Sequence, residues 1–562
     1  MMIKDRDYKK EMTTVEEKIK QESKGLRGSI VESLKEELFG GFYDKDQIVV
    51  KFHGLYQQDD RDIREERSKK KLDRLHSFMI RLRIPGGFIN SKQWIAIHQI
   101  SEKNSTGVIK ITTRQTVQLH GLIKSKIKPT IQSFNLSKLD SIATCGDVNR
   151  NVICSTYVGK HSYEEIYDYA SKISKMLLPK TRAYYEIWLD EEKILEKKNK
   201  EPLYKKSYLP RKFKIAIAVP PNNDVDVFAN DIGLIAIIDS FNYQLKGFNM
   251  SVGGGLSTTH GNHKTYSRLG TVIGFSDSEE KTLKIIYEIL TIQRDYGNRN
   301  DRKLARLKYT IDNYGIDWFK KELEKRIGFS LDKEHPFVFT ERTDYFGWIQ
   351  NNKQLWNYTF FIENGLIFDK KYVHLKSALL KIAELQICDF LFTCNQNLTL
   401  TDIHVNHKEK IQSILHEYGI LNYMKNISSI RKNSMACVAF NTCPLALAEG
   451  QRYLPNLIDK IEPILKKYQL EKEEIIIRMT GCPNGCSRPY LAEIGLIGVS
   501  YGLYNLYLGA NKEGTRLNKL YKKNMDESSI LKELDLIFHD FRKERFLGEN
   551  FGNFSLRKQW IV

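Results

Sequence analysis

Runs of alternating apolar and polar residues occur at two places that are far apart in the chain. Residues 78–83 read Phe-Met-Ile-Arg-Leu-Arg and residues 356–361 read Trp-Asn-Tyr-Thr-Phe-Phe, which is the period of a half-buried strand. Elsewhere, apolar residues recur at three- and four-residue spacing over 162–178, 279–294 and 374–385, which predicts amphipathic helices. Because strands and helices alternate, we predict an α+β fold with mixed or antiparallel sheets.

The two strand-like runs belong to a weak internal repeat. Four segments of the first half are similar to four of the second half in the same order: 84–89 and 362–367, 113–119 and 394–400, 144–150 and 480–486, and 248–253 and 504–509. Similarities that keep one order indicate an internal duplication. We therefore predict a pseudo-twofold pair of modules, with a ligand site where the two halves meet.

Composition narrows the class of protein. A chain of 562 residues with 41% hydrophobic and 28% charged residues is globular rather than disordered. The formal net charge of +19 indicates an anionic partner, for which nucleic acid, a membrane surface and a small acidic ligand are candidates; a solvated lysine-rich surface accounts for it equally well. No secretory signal or long apolar run is visible, so we expect a cytoplasmic protein that does not contact a membrane.

Four of the eight cysteines form two closely spaced pairs, with the pattern C-x5-C and then C-x3-C: Cys437, Cys443, Cys482 and Cys486. Four thiolates that converge suit either a zinc ion or an iron–sulfur cluster. The first pair is wider than a zinc knuckle, and a proline follows both Cys443 and Cys482, as in ferredoxin-type motifs. A cubane cluster is favoured over zinc, and two accidental pairs remain an alternative. The other four cysteines are interpreted as structural: Cys145, Cys154, Cys388 and Cys394.

Several basic residues lie in apolar surroundings. Arg81 alternates with Arg83 in a predicted strand, and Lys212 alternates with Lys214 just before another strand. An unpaired guanidinium that points inward costs several kcal/mol, so an inward pair needs an anion; a solvated outward face is the alternative. Arg150 lies in the loop that the repeat equates with 480–486, which predicts that it reaches the same central cavity.

A further polar set is spread along the chain: Lys110, Arg114, Arg306, Lys308, Asn395, Gln396 and Asn397. The glycines of 253–255 could present backbone N–H groups to an anion, although a plain tight turn explains them as well. No helix-turn-helix, zinc-finger spacing or aromatic-interleaved groove accompanies the basic residues, so nucleic acid is a poor second choice of ligand.

The motifs together resemble those of the sirohaem-dependent nitrite and sulfite reductases. The shared segments are Thr-Arg-Gln-Thr at 113–116, Asn-Arg-Asn at 149–151, Arg-Lys-Phe-Lys at 211–214, the glycines at 253–255, and the cysteine pattern. The resemblance extends from about residue 25 to 558. It implies ferredoxin-like half-domains at 76–140 and 346–427, a sirohaem-binding domain at 141–345, a second sirohaem/[4Fe–4S] domain at 428–562, and an N-terminal arm at 1–75 that docks a partner.

The resemblance also implies a role for each candidate residue. A [4Fe–4S] cluster would be bound by Cys437, Cys443, Cys482 and Cys486, and Cys486 would also be the axial ligand of the sirohaem iron. The sirohaem carboxylates would be bound by Lys110, Arg114, Arg306, Lys308, Asn395, Gln396 and Asn397. The oxygens of sulfite would be held by Arg81, Arg150, Lys212 and Lys214.

The implied reaction is the six-electron reduction of sulfite to hydrogen sulfide in sulfate assimilation and cysteine biosynthesis. No G-x-G-x-x-G or P-loop motif is visible, so NADPH is not expected to bind this chain. The resemblance implies a separate flavoprotein (alpha) subunit in a hetero-oligomer, which would pass electrons from NADPH through FAD and FMN. Lys214 stands where related nitrite reductases usually carry Asn, which favours sulfite. The alternatives are a ferredoxin-dependent nitrite reductase and, more remotely, a four-cysteine zinc module that binds nucleic acid.

Overall fold

The computed structural model describes residues 14–156, 163–181, 183, 201–558 and 560. Residues 1–13 of the predicted arm, residue 162 of the first predicted helix, and residues 559, 561 and 562 of the predicted last domain lie outside this part. The helices are α1 (Val15–Glu22), α2 (Ile30–Lys35), α3 (Asp44–Val49), α4 (Arg64–Lys69), α5 (Ser91–Asn104), α6 (Ile127–Leu136), α7 (Tyr163–Met176), α8 (Glu279–Tyr296), α9 (Leu307–Tyr314), α10 (Ile316–Ile327), α11 (Leu375–Glu384), α12 (Val405–Glu417), α13 (Ile420–Asn426), α14 (Ser429–Lys432), α15 (Leu454–Lys467), α16 (Glu527–Glu544) and α17 (Phe551–Arg557).

The strands are β1 (Leu55–Asp59), β2 (His76–Arg81), β3 (Phe88–Ile89), β4 (Ile109–Ile111), β5 (Val117–Leu122), β6 (Ile153–Cys154), β7 (Ile215–Ala218), β8 (Ile232–Ile238), β9 (Leu245–Val252), β10 (Thr271–Ser276), β11 (Gly347–Gln350), β12 (Trp356–Phe360), β13 (Leu366–Ile367), β14 (Asp369–Lys370), β15 (Val373–His374), β16 (Asp389–Phe392), β17 (Leu398–Ile403), β18 (Ser434–Ala436), β19 (Ile477–Thr480), β20 (Ile494–Ser500), β21 (Leu503–Leu508) and β22 (Lys519–Met525). The three helices predicted from apolar spacing are confirmed as α7, α8 and α11, and the two alternating runs as β2 and β12.

Two five-stranded sheets exchange an edge strand. Sheet I has the order β1-β2-β5-β4-β13, and sheet II has the order β11-β12-β17-β16-β3. In sheet I, Leu366 of β13 pairs with Lys110 of β4. In sheet II, Phe88 of β3 pairs with Leu391 of β16. Each half of the chain therefore completes the sheet of the other half.

Two further five-stranded sheets have the same topology. Sheet III has the order β10-β9-β8-β7-β6 and sheet IV the order β22-β21-β20-β19-β18. In both, the first three strands along the chain pair in parallel and the last three pair antiparallel. The matched strands β8 and β20 both begin with Ile-Gly-Leu-Ile. The α+β fold and the duplication are thereby confirmed.

One of the predicted similarities is wrong. The cysteine loop after Thr480 follows β19, and the equivalent strand of sheet III is β7, so this loop corresponds to residues 219–224. Arg150 instead lies in the segment before β6. The motif of 144–150 resembles the cysteine loop in sequence, but it occupies a different position in the repeat.

The segment 14–75 is not a separate arm. Phe42, Val50 and Leu55 are fully buried in the core that spans both ferredoxin-like halves and sheet III, and β1 pairs with β2 in sheet I. Lys20 lies 3.3 Å from Asp147 and donates to the Leu209 carbonyl at 2.7 Å. A second core gathers the buried residues between Ile430 and Phe554. No described helix meets the length and apolarity that a membrane-spanning segment needs.

Candidate active site

A polar cleft of about 440 Å³ lies between the two halves. Its walls come from the β4–β5 loop, the start of sheet III, the glycine-rich turn and the cysteine loop. The lining includes Thr113, Arg114, Lys214, Asn230, Ser257, Arg306, Asn484, Cys486 and Arg488. The predicted ligand site at the junction of the halves is thus where the structure has a cleft.

The four paired cysteines are brought together by neighbouring strands. Cys437 directly follows β18 and Cys482 lies two residues after β19; since these strands are parallel neighbours, their loops leave the same edge of the sheet. Gly481 N–H points to Cys437 Sγ at 3.3 Å, and the amide of Asn484 points to Cys482 Sγ at 3.6 Å. Backbone and amide donors of this kind stabilise thiolates.

The thiols share one electrostatic environment. Burial, followed by the nearby Cys486 charge, raises the pKa of both Cys443 and Cys482 to about 12. Burial and Cys486 also raise the pKa of Cys437. Among the described residues no three His, Cys, Asp or Glu side chains are arranged to hold a single metal ion. The four thiols nevertheless lie close enough together for the charge of one to act on the pKa of the others.

Cys486 differs from the other three. It is exposed and lines the cleft, and its carbonyl accepts a hydrogen bond from the Thr113 hydroxyl at 3.0 Å. The hydroxyl comes from the opposite half of the cleft, so the contact fixes the cysteine loop against the β4–β5 loop. A thiol at this position is accessible to a group bound in the cleft.

Of the four predicted anion-binding cations, Lys214 lines the cleft together with Cys486, and Lys212 lies close to both Cys486 and Arg150. Arg150 donates to the carbonyls of Gly146 and Thr144, both at 2.9 Å, and Arg81 lies 3.6 Å from Cys145 Sγ. The ammonium groups of Lys212 and Lys214 have no hydrogen bond or ion pair with any residue that the structure describes. Arg83, in contrast, is turned towards Asp140 at 3.5 Å.

The two lysines are held in a cationic, desolvated setting. Burial, with Arg211 and Arg306 nearby, lowers the pKa of Lys212 to about 7. Burial and the Lys212 charge hold the pKa of Lys214 well below its usual value. Because like charges and desolvation oppose the ammonium form, an incoming anion is the partner that restores it.

Two residues of the further polar set, Arg114 and Arg306, line the same cleft. Arg114 donates to Asn151 O at 2.6 Å, Ile215 O at 2.9 Å and Asn230 Oδ1 at 2.8 Å, and burial lowers its pKa to about 9. Arg306 makes a two-pronged ion pair with Asp231 at 3.0 and 2.7 Å. Both guanidinium groups are therefore fixed in place before any ligand enters.

Lys308 organises the glycine-rich turn. Its ammonium donates to Gly255 O at 3.0 Å and to Ser257 O at 3.1 Å, and burial lowers its pKa to about 7. A Cβ on Gly254 would lie 2.0 Å from the Phe228 carbonyl oxygen. Close approach of two backbones therefore requires glycine here.

The other four residues of the further polar set, namely Lys110, Asn395, Gln396 and Asn397, do not line the cleft. Lys110 is buried and donates to Asn364 O beside Cys437. The amides of Asn395 and Asn397 donate to the Asp344 carboxylate at 3.0 and 2.7 Å. Gln396 is buried, with a φ of 68° that matches the φ of 50° at its repeat partner Gln115. These residues support the loops around the site, and Asn395 and Asn397 line a different cavity.

Sequence reasoning missed Tyr56, Asp231 and Arg488. Tyr56 is buried close to Arg150 and Arg81, and Arg488, which lines the cleft, donates a hydrogen bond to Cys394 O at 2.6 Å. Asp231 had a usable signal, because it and Glu493 precede the two copies of Ile-Gly-Leu-Ile. An acidic residue at the same position before both copies of a buried strand predicts that its carboxylate pairs with a buried cation.

The buried ion pair between Arg306 and Asp231 leads to a prediction about the free energy of unfolding. Both side chains are at most 4% exposed, so Asp231→Ala leaves a buried guanidinium unpaired. We expect a loss of about 3–5 kcal/mol in the free energy of unfolding, measured by chemical denaturation. The matched control is Asp312→Ala, which removes a more exposed pair with Arg268 and should cost at most about 1 kcal/mol. Equal losses in the two variants would contradict this account.

Comparison with known proteins agrees with this geometry. Residues 70–136 match the Nitrite/Sulfite reductase ferredoxin-like half domain, and residues 169–331 match the Nitrite and sulphite reductase 4Fe-4S domain. The chain belongs to the nitrite and sulfite reductase family.

Two relatives are similar to this chain over almost its whole length. A protein of Leptospira biflexa named sulfite reductase [NADPH] hemoprotein beta-component is 60% identical, over 97% of this chain and 98% of its own. One of Staphylococcus haemolyticus with the same name is 51% identical, over 96% and 94% of the two chains. The solved structure of the Mycobacterium tuberculosis NirA protein has a TM-score of 0.79 at 23% identity, covering 98% of this chain and 97% of its own, which supports the fold.

Proposed function

We propose that this protein reduces sulfite to sulfide in the cleft beside Cys486, as the hemoprotein beta-component of an NADPH-dependent sulfite reductase. The observation that supports this proposal most directly is that one exposed cysteine of a four-thiol group lines a cleft that is also lined by Lys214, whose ammonium group has no hydrogen bond or ion pair among the described residues. A redox centre and an anion site are then adjacent. The names of the full-length relatives support the same reaction.

The cluster would be held by Cys437, Cys443, Cys482 and Cys486, and Cys486 would also bind the sirohaem iron. When bound, the cluster and the sirohaem supply electrons and an iron that binds sulfite. Gly481 N–H and the Asn484 amide offset thiolate charge at two of the sulfurs. Arg114, Arg306 and Lys308 line or support the cleft walls, where they would bind the carboxylates of the acidic sirohaem.

The cations of the cleft would orient sulfite and supply protons. Arg81 and Arg150 are fixed by protein acceptors and so present charge at defined positions. Lys212 has a pKa near neutrality, which suits proton donation to an oxygen that leaves as water. Reduction of one sulfite to hydrogen sulfide takes six electrons and eight protons, so repeated proton delivery is as necessary as electron supply.

Lys214 would set the choice between sulfite and nitrite. Lys214→Asn removes a cation that a dianion needs more than a monoanion, so kcat/KM for sulfite should fall about 10-fold or more relative to that for nitrite. Steady-state rates with reduced methyl viologen and each anion measure the ratio. Lys206→Asn changes an exposed lysine and should leave it unchanged. An unaltered ratio in Lys214→Asn would remove this residue as the discriminator.

The electron donor would be a separate subunit. The relatives are named beta-components, and this chain has neither a G-x-G-x-x-G nor a P-loop motif. We therefore infer a hetero-oligomer in which a flavoprotein alpha subunit carries FAD and FMN and takes electrons from NADPH. None of the eight cysteines forms a disulfide bond in the structure, which suits the reducing cytoplasm.

One preparation tests the proposal. The purified protein should have the visible bands of sirohaem, contain four cluster irons with labile sulfide, and form sulfide from sulfite with reduced methyl viologen. A colourless protein that contains zinc would overturn the redox assignment. Faster turnover of nitrite with reduced ferredoxin than of sulfite with the NADPH-linked flavoprotein would overturn the choice of substrate and donor.

A further inference from the structure

Three of the cations proposed to bind sulfite come from two separate segments of the chain. Arg150 ends the first segment, 144–150, and Lys212 and Lys214 lie on the second segment, 209–214. Both segments lie just outside sheet III, since they precede its strands β6 and β7. The distance between the segments is therefore set by contacts other than the ladder of the sheet.

Three backbone hydrogen bonds join the two segments. The Leu209 N–H donates to Asp147 O at 3.0 Å. The Phe213 N–H donates to Val148 O at 3.1 Å, and Phe213 O accepts a hydrogen bond from the Arg150 N–H at 2.9 Å. A movement of one segment against the other would therefore change the distances between the three cations.

One buried ammonium group joins the same two segments from a third part of the chain. Lys20, on α1, donates to the Leu209 carbonyl at 2.7 Å and lies 3.3 Å from the Asp147 carboxylate. It also pairs with Glu17, one turn earlier on the same helix. The Lys20 side chain is 1% exposed. Because an ammonium group has three N–H donors, each donor of Lys20 has an acceptor, one on each segment and one on its own helix.

The two acids around Lys20 are also paired with arginines. Arg302 makes a two-pronged contact with the Asp147 carboxylate at 2.6 and 2.9 Å, and Arg299 Nη1 donates to Glu17 Oε2 at 2.5 Å. Although burial opposes ionisation, the charges of Lys20 and Arg302 hold the pKa of Asp147 well below its usual value. Loss of the Lys20 ammonium would thus leave both carboxylates with a partner, so the chain should still fold, while the tie between the two segments would be lost.

We propose that Lys20 is a positioning residue for the sulfite site and sets the distance of Arg150 from Lys212 and Lys214. This inference rests on the function proposed above. Lys20 does not line the cleft; it acts through the two segments, because its ammonium group holds a carboxylate of the first and a carbonyl of the second. Since the cations of both segments are proposed to bind the same anion, a change in their separation weakens the contacts on both sides.

Hydrogen–deuterium exchange and sulfite titration of the holoprotein test this role. In Lys20→Met we expect amide exchange within 144–150 and 209–214 to become about 3- to 10-fold faster. The Kd for sulfite, from the visible-spectrum titration, should rise about 10-fold or more. Exchange in β10, at the far edge of sheet III, should stay as in the wild type. The Kd reports on folded protein alone, so a loss of stability without displacement of the cations would not change it.

Two further variants separate the position of the lysine from its charge. Lys18→Met changes an exposed lysine on the same helix and should leave both the exchange rates and the Kd at their wild-type values. Asp147→Asn keeps the side-chain volume but removes the carboxylate charge that holds Lys20 and Arg302. This variant should therefore also raise the Kd for sulfite. It decides the question if Lys20→Met does not yield folded holoprotein.

An unchanged Kd for sulfite in Lys20→Met would overturn the proposal, even where exchange in the two segments is faster. Faster exchange throughout sheet III, β10 included, would also overturn it, because Lys20 would then contribute to general stability. A wild-type holoprotein whose visible spectrum does not respond to sulfite would overturn the proposed function itself. The exchange rates distinguish the two failures, since they show whether Lys20 holds the segments together without any reference to sulfite.

Discussion

Cys486→Ser should reduce sulfite reduction by at least about 100-fold, because this thiol is proposed to belong to both the cluster and the iron of the cleft. The serine hydroxyl is nearly isosteric, but it is a poor ligand for iron at neutral pH. The measurements are turnover with reduced methyl viologen and the visible spectrum, which should lose its sulfite-induced change.

A suitable control for this variant is Cys388→Ser. Unlike Cys486, Cys388 is buried; burial raises the pKa of its thiol to about 12, and it lies outside the cleft lining. Its serine variant should fold and turn over sulfite at nearly the wild-type rate. Wild-type turnover in Cys486→Ser would disprove the assigned role of this cysteine, whereas loss in both variants would indicate a general effect on folding.

Lys212→Met should lower kcat for sulfite by about 100-fold or more, since it removes a proton donor and one positive charge from the anion site. The methionine keeps most of the side-chain volume, so the cleft is not emptied. Steady-state kinetics with reduced methyl viologen give kcat and KM separately. A change confined to KM would indicate a binding role without proton transfer.

The same lysine predicts a pH dependence. Its pKa in the free protein is lowered to about 7, so the ammonium form is complete below that pH and is lost as the pH rises through it. We therefore expect kcat/KM for sulfite to fall above about pH 7. Lys212→Arg stays protonated across this range, so the fall assigned to Lys212 should disappear while the titration of sulfite itself remains. An identical profile in the two proteins would exclude Lys212 as its source.

The sequence predicted the parts of the fold that repeat locally. Helices α8 and α11 follow directly from apolar spacing, and the duplication follows from ordered similarities. The exchange of β3 and β13 was not predictable, because these strands have two residues each and their partners lie in the other half of the chain. The registers that equate 480–486 with 219–224 are set by tertiary pairing, which a short shared motif does not specify.

The site was predicted best where chemistry constrains spacing. The spacing of the cysteine pairs predicts a shared centre because several thiolates must reach one group, and Lys212 and Lys214 were proposed because they alternate at the start of a strongly apolar strand; these roles stay predictions. Residues with structural roles were harder to separate from ligand-binding ones. Lys110 and Asn397 are of residue types that could bind the carboxylates of a cofactor. In the structure, however, Lys110 donates to a backbone carbonyl and Asn397 donates to the protein's own Asp344, and these contacts depend on the fold.

The exchanged edge strands have a consequence for how the chain is assembled. Sheet I lacks its outer strand until Leu366–Ile367 has been synthesised, so the first half leaves the ribosome with an open sheet edge that another polypeptide can occupy. The same exchange between two separate copies of a half would make a domain-swapped dimer. Fusing the copies turns that association into an intramolecular one with a high effective concentration. A single duplicated chain thus carries, for each sheet, the edge strand that completes it.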